Sequence, residues 1–146
     1  MLFYLLFAVA AGAMLPLQFG INAQLSHWVS SPIRAAFVSF VVGTIVLLGV
    51  ATTVRKPLPS LDRLGHVPWW AWLGGVLGAF YVTGSIVSAP KLGAVTLTAA
   101  IIAGQTTASV LVDQFGWVGF KEHHLSPGRI AGIALVAVGI ALVRLF

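Results

Sequence analysis

Polar side chains interrupt the long apolar runs of this sequence at few places, and Gln18 and Asn22 stand four residues apart in the first run. On a helix, residues four apart share a face. Pro16 has no N–H to donate, which leaves the carbonyl of Gly12 free to accept another hydrogen bond. Together these groups predict one wall of a polar cavity that binds substrate. The alternative is that both amides bond to neighbouring helices as packing contacts.

A second polar series, Gln105, Ser109 and Asp113, recurs every four residues near the other end of the chain. On one helix these positions sweep about 80° of arc, which predicts a polar track leading inward from the surface. We assign Gln105 and Ser109 to substrate binding and Asp113, at the end of its run, to coupling or gating. The alternatives are a bond from Ser109 to the carbonyl of Gln105 and an ion pair between Asp113 and Arg129.

Tyr81 and Lys91 complete the candidate site residues. Tyr81 offers a substrate an aromatic face and a hydroxyl, although tyrosine in a helix bundle also packs with one hydrogen bond. Lys91 is a candidate for gating, or for a counter-charge to an anionic ligand. The alternative is that its long side chain extends to the membrane interface.

The sequence lacks the residue patterns expected for metal binding, enzymatic catalysis or proton coupling. Glu122, His123 and His124 are metal-ligand types, but adjacent histidines in a short surface loop are usually solvated, so we predict neither a metal site nor a cofactor. The chain has no cysteine, no phosphate loop and no nucleophile–base pair, which predicts that it is not an enzyme. Carboxylates are also missing from the middle of every apolar run, so no proton-coupling residue is evident unless a water-filled cavity reaches Asp113. Facilitated diffusion or coupling to another ion is at least as consistent with the sequence as proton coupling.

The composition determines which solvent surrounds most of the chain. Of its 146 residues, 59% are hydrophobic and only 8% are charged, and the mean hydropathy is +1.02. Too few charged residues exist to cover a soluble exterior, so hydrocarbon is the predicted solvent. The net charge of +5 comes from eight bases against three acids, and the bases are scattered along the chain without forming a basic patch. Membrane lipids, rather than nucleic acid, are therefore the predicted partners of these bases.

Crossing about 30 Å of hydrocarbon takes about 20 apolar residues in a helix, because a helix satisfies its own backbone hydrogen bonds. Ser31-Pro32 and Ser126-Pro127 predict two helix starts, each with a capping serine and a first-turn proline. The first run lacks the basic start of a signal peptide, so we expect it to be retained. The sequence predicts one all-α integral membrane domain over residues 1–146, with five transmembrane helices at about residues 2–25, 32–54, 68–87, 92–112 and 127–145.

Small residues four apart predict two sites of close helix packing, one at Gly74 and Gly78 and the other at Gly128 and Gly132. Five crossings place the termini on opposite sides of the membrane. The bases then divide almost evenly between the sides, which predicts insertion in both orientations; the alternative is one fixed orientation with the amino terminus inside. The side of the amino terminus would carry Arg55, Lys56, Arg63, Lys121 and Arg129, and the other side Arg34, Lys91 and Arg144.

Four segments, in order along the chain, resemble the YdcZ-type family of the drug/metabolite transporter superfamily. They are PLQFGINAQL at residues 16–25, PWWAWLGG at 68–75, APKLGA at 89–94 and AGQTTASVLVDQFG at 103–116. The resemblance implies a multi-pass protein of the bacterial inner membrane with five helices per chain, similar to half of a ten-helix inverted-repeat transporter. It further implies that a single short chain of this kind pairs with itself as an antiparallel homodimer.

Together these observations predict a small-molecule transporter that works by alternating access, with an unknown solute bound between protomers. Two other functions remain open at this stage. One is a small dual-topology ion channel, which would also use a two-fold pore with few charges. The other is a membrane assembly factor without transport activity.

Overall fold

The computed structural model describes residues 1–54 and 59–145, and every regular element in these ranges is helical. The predicted all-α class is therefore confirmed. Arg55 and Lys56, which entered the comparison of basic residues on the two sides, lie outside the described residues. The elements are α1 Leu2–Trp28, α2 Pro32–Thr53, α3 Leu61–Gly65, α4 Leu73–Phe115 and α5 Pro127–Leu145, with 3-10 turns at Trp69–Trp72 and Trp117–Gly119.

Three helical stretches of the described chain are long and apolar enough to cross a membrane: Leu2–Trp28, Pro32–Thr53 and Trp69–Phe115. A shorter apolar helix covers Pro127–Val143. Within the most apolar part of each long stretch, only 6 to 11% of the residues are buried by the chain itself. Such an apolar exterior is stable where lipid tails replace water.

Both predicted helix starts are confirmed. At α2, the Ser31 hydroxyl accepts a hydrogen bond from the Arg34 N–H at 3.4 Å, and Pro32 occupies the first turn. At α5, the Ser126 hydroxyl accepts from the Arg129 N–H at 3.3 Å. These bonds satisfy backbone donors that have no partner inside a helix, which explains why each helix begins at this point.

The long helix α4 is interrupted at Gly93, whose φ of 73° and ψ of 166° are non-helical. This combination of angles is essentially restricted to glycine. Residues 88–91, which the sequence predicted to form a short connection, are helical, and the interruption follows two residues later. At the other end of this segment, residues 69–72 form a 3-10 turn, and the α-helix begins at Leu73.

By its internal contacts the chain forms two compact units. The central unit is Leu17–Lys91, and the terminal unit combines Met1–Pro16 with Leu92–Phe146. The core of the central unit is a buried cluster in which α2 packs against α4, with Leu25, Val29 and Tyr81 at its edge. Its buried members are Ala35, Ala36, Val82 and Ile86. Alanines on α2 let the two helices approach closely, as small residues do in membrane bundles.

In the terminal unit, the loop between α4 and α5 is held by hydrogen bonds to the end of α4. The Asp113 carbonyl accepts from the His123 N–H at 2.8 Å, and the Gln114 side-chain oxygen accepts from the Leu125 N–H at 2.9 Å. Gly116 ends α4 with a left-handed φ of 61°, the usual role of glycine after a helix. The loop therefore holds the start of α5 beside the end of α4.

Candidate functional site

The two amides of α1 lie in different surroundings within the central unit. Gln18 is half-buried and lines a cavity of about 240 Å³ that is open on one side, where Gly43, Thr44 and Leu47 are exposed. Asn22 is only 4% exposed and follows Phe19, which is 2% exposed. Although the helix period places Gln18 and Asn22 on one face, only Gln18 faces this cavity. Asn22 is a buried polar group of the same unit.

Most of the cavity wall comes from α2, in which no site residue was predicted from the sequence. Ser39, Phe40, Gly43, Thr44 and Leu47 line it, and Val82 of α4 completes it. Residues 40, 43, 44 and 47 have the spacing of one helix face. Ser39, Gly43 and Thr44 are small or hydroxyl residues within an apolar helix, and this was the available signal. No local pattern says which helix faces them.

Tyr81 lies at the edge of the central unit's core. Its ring meets Phe19 edge to face, with centroids 6.1 Å apart and planes at 68°. Its hydroxyl oxygen is buried and has no hydrogen-bond partner among the described residues. Because buried polar groups are normally paired, this hydroxyl is available to a partner from outside the described chain. Tyr81 therefore packs within the bundle, as in the structural alternative predicted for it, but within the described part of the chain it lacks the hydrogen bond which that alternative included.

Gln105 and Ser109 lie in the terminal unit on exposed positions of α4. Thr107 is two residues from both Gln105 and Ser109 and so lies on nearly the opposite side of the helix. It lines a small cavity of about 50 Å³ together with Ile133 and Val136 of α5. Helix α5 therefore covers a different face of α4 from the one that carries Gln105 and Ser109. The part of the predicted polar track that carries Gln105 and Ser109 is left uncovered by α5.

Asp113 forms the ion pair named from sequence as its structural alternative. Arg129 Nη1 lies 3.2 Å from Asp113 Oδ2 and also donates to the His123 carbonyl at 3.1 Å. The Arg129 side chain is 41% exposed and that of Asp113 is 30% exposed. Because water screens an ion pair of this kind, we expect it to contribute no more than about 1 kcal/mol to the free energy of unfolding. Lys91 is exposed near the carboxyl end of the central unit.

The pair yields a prediction about Asp113. Asp113→Asn is expected to lower stability by up to about 1 kcal/mol, with a similar effect for Arg129→Gln and little further loss in the double variant. SDS-induced unfolding of the four proteins measures this coupling. Transport by folded Asp113→Asn should stay within about twofold of the parent, because the Asp113 carboxylate already has its ionic partner within the chain. Abolished transport in a folded variant would instead assign Asp113 to coupling.

Among the four glycines predicted to pack helices, Gly78 makes a close contact within the chain. The Phe40 ring approaches to 3.4 Å of the position that a Cβ on Gly78 would occupy. A Cβ on Gly74, Gly128 or Gly132 would meet nothing within 4 Å. Helix packing at these three positions would therefore need atoms from outside the described chain.

The loop histidines are engaged in local hydrogen bonds. His123 Nδ1 lies 2.9 Å from the Lys121 carbonyl, and His124 Nδ1 lies 3.2 Å from the Gln114 amide nitrogen. In the described part of the chain, no group of three or more His, Cys, Asp or Glu side chains is arranged to hold a metal ion.

Comparison with known proteins places these features in a family. Residues 3–142 match the family model described as "Putative inner membrane exporter, YdcZ". The chain is also 28% identical, over 139 residues, to the inner membrane protein YdcZ of Escherichia coli (strain K12). That alignment covers 95% of this chain and 93% of the relative.

No solved structure matches the chain significantly. The inner-membrane descriptions of the family and the relative agree with the apolar helices. As predicted, the protein is a multi-pass protein of the inner membrane. The match spans every candidate site residue from Gln18 to Asp113, and by it the chain belongs to the YdcZ family.

Proposed function

We propose that the protein transports a small molecule by alternating access as an antiparallel homodimer. Membership of a family described as an exporter supports membrane transport in general. The observation that carries the finer proposal is the exposure of Gln105 and Ser109 on an apolar helix. A polar side chain in hydrocarbon is costly unless it is paired or faces a water-filled cavity.

A second copy of the chain is the simplest cover for this face. Because few residues of the long helices are buried within one chain, much of their surface is available for helix–helix contact. A two-fold axis in the membrane plane would bring each polar group to the interface twice, as in transporters built from inverted repeats. The substrate site would then draw on Gln18, Asn22, Tyr81, Gln105 and Ser109.

The proposed dimer requires five crossings in each chain, which makes one chain half of a ten-helix bundle. Residues 73–92 and 94–115, on either side of Gly93, are each long enough to span about 30 Å at 1.5 Å per residue. With α1, α2 and α5 they give the five crossings. An odd number puts the termini on opposite sides, and the nearly even division of basic residues permits insertion in either orientation.

Transport in this scheme involves no covalent step. Uncharged amides and hydroxyls would bind the solute near the midplane, and rocking of one protomer against the other would expose it to each side in turn. Within α1, α2, α4 and α5 the sole carboxylate is Asp113, and it is paired with Arg129. We therefore propose facilitated diffusion, or coupling to an ion other than the proton.

Liposomes can test for transport by screening many solutes at once. Vesicles with and without purified protein would be loaded with a mixture of amino acids, sugars, polyamines and cationic dyes. Loss of each solute would be followed by mass spectrometry. Faster loss of one chemical class through the protein supports a transporter. Equal loss from both vesicle types for every solute, or ionic currents of channel size in planar bilayers, would contradict it.

Insertion in both orientations predicts a specific labelling result. The chain has no cysteine, so His27→Cys and His66→Cys, at exposed positions predicted on opposite sides, can be labelled without background. A membrane-impermeant maleimide applied to intact cells should modify about half of each variant, because each protomer orientation exposes one site. Full labelling of one variant and none of the other would exclude the antiparallel dimer.

A further inference from the structure

We infer that the cavity of the central unit binds an uncharged solute about the size of a single substituted aromatic ring, which carries an amide or hydroxyl group. The inference rests on the proposed transport function for the role of this ligand as substrate. The cavity itself lies within one chain, between α1, α2 and α4. Its binding property can therefore be measured independently of the oligomeric state.

Position and size restrict the ligand first. Gly43, in the cavity wall, lies at the middle of α2, which is the depth at which transporters commonly hold their substrates. The volume of about 240 Å³ exceeds that of an engineered cavity of about 150 Å³ that holds benzene. It is smaller than the pockets of about 300 Å³ and more that hold drug-sized ligands. A single ring with a small substituent fits between these limits.

The lining restricts the charge of the ligand. No charged side chain lines the cavity among the described residues. Gln18 offers an amide donor and acceptor, and Ser39 offers a hydroxyl. The Thr44 hydroxyl donates to the Phe40 carbonyl at 2.8 Å, so its oxygen remains an acceptor. An ion here would lack a counter-charge at membrane depth, whereas an uncharged amide or alcohol could bond to these groups.

The apolar part of the lining favours a flat ring. Phe40 packs over Gly78, where the missing side chain lets the ring approach the backbone of α4. Leu47 and Val82 supply the remaining apolar surface. A second aromatic ring gains an offset or edge contact with Phe40 beyond simple burial. A lipid acyl chain would fill the same volume but would leave Gln18 and Ser39 without partners, which disfavours it as the occupant.

Three compounds with the same ring test this assignment: benzamide, which is uncharged, benzoate and the benzylammonium ion. Purified protein in phosphatidylcholine–phosphatidylglycerol nanodiscs would be dialysed against tritiated benzamide, with empty nanodiscs as the control for partitioning. We expect saturable binding that both charged analogues displace at least tenfold more weakly than unlabelled benzamide. Absence of saturable binding, as expected if a lipid chain fills the cavity, or equal displacement by all three compounds would overturn the inference.

Two glycines of α2 provide a matched pair of variants. A side chain added at Gly43 meets nothing within 4 Å and enters the cavity, so Gly43→Leu should fill it and reduce benzamide affinity at least tenfold. Gly49→Leu adds the same side chain where it also meets nothing within 4 Å, outside the cavity wall, and should bind as the parent does. Unchanged binding by Gly43→Leu would overturn the inference.

A further variant, together with the flux and labelling assays, distinguishes failure of the ligand assignment from failure of the proposed function. Gln18→Leu should also reduce affinity, by about fivefold or more, because it removes the amide, and parent-like affinity would contradict the assignment. If benzamide binding fails while solute flux persists, the ligand assignment alone is wrong. If cysteine labelling shows one fixed orientation while Gly43→Leu abolishes binding, the proposed dimer is wrong and the cavity assignment stands.

Discussion

Leucine in place of Gln105 is expected to reduce transport about fivefold or more while leaving the protein folded. Gln105 is exposed on α4, so a leucine side chain at this position would create no clash within the chain and would suit a lipid environment. Losing a hydrogen bond to the solute, with its partner left unpaired, costs about 1–3 kcal/mol, which corresponds to a fall in rate of about fivefold to 150-fold. Flux of responsive solutes from liposomes measures the effect.

Thr107→Val is the matched control on the same helix. The Thr107 hydroxyl already donates to the Ala103 carbonyl at 2.9 Å, and the residue lines the small cavity between α4 and α5. This variant should transport at the parent rate. Equal flux in Gln105→Leu and the parent for every responsive solute would remove Gln105 from the substrate site and leave its exposed face to lipid or packing.

Alanine in place of Gly93 is expected to destabilise the fold. Gly93 adopts φ 73° and ψ 166°, and an added Cβ would meet no atom within 4 Å. Crowding by neighbours therefore plays no part, and the cost comes from the backbone conformation alone, about 1–3 kcal/mol. Thermal unfolding followed by tryptophan fluorescence should show a lower midpoint than the parent.

Gly84→Ala provides the comparison within the same helix. Gly84 is helical, and a Cβ there also meets nothing within 4 Å. Its replacement should leave stability unchanged or raise it by up to about 1 kcal/mol, because alanine is the better helix former. If Gly93→Ala and Gly84→Ala raise the midpoint alike, the interruption at residue 93 is not a requirement of the fold, and α4 tolerates a continuous helix.

The requirement for a break near residue 93 could be read only partly from the sequence. The sequence predicted one helix ending at about residue 87 and the next beginning at about residue 92, and Pro90 between them cannot donate a backbone hydrogen bond. The structure retains helix through residues 88–91 and places the break at Gly93. A proline within a helix can be accommodated by neighbouring groups in a membrane protein. The backbone angles of Gly93 are instead restricted by their own sterics to glycine.

The sequence alone established the solvent of this protein and the type of its secondary structure. Composition excluded a soluble exterior, and the need to pair backbone groups in hydrocarbon selected helices. The helix starts at Pro32 and Pro127 were also predictable, because a capping serine acts on the next few residues of the chain. These features depend on local chemistry, which is present before any tertiary contact forms.

Only the tertiary structure showed that residues on the same helix face have different surroundings. Gln18 and Asn22 share a face of α1, yet Gln18 lines a cavity and Asn22 is buried. Asp113 could have been free or paired, and the approach of α5 brings Arg129 to it. Periodicity determines which way a side chain points along its own helix. Which neighbour covers that side chain depends on packing between segments distant in sequence, and this decides whether a polar residue can meet a ligand.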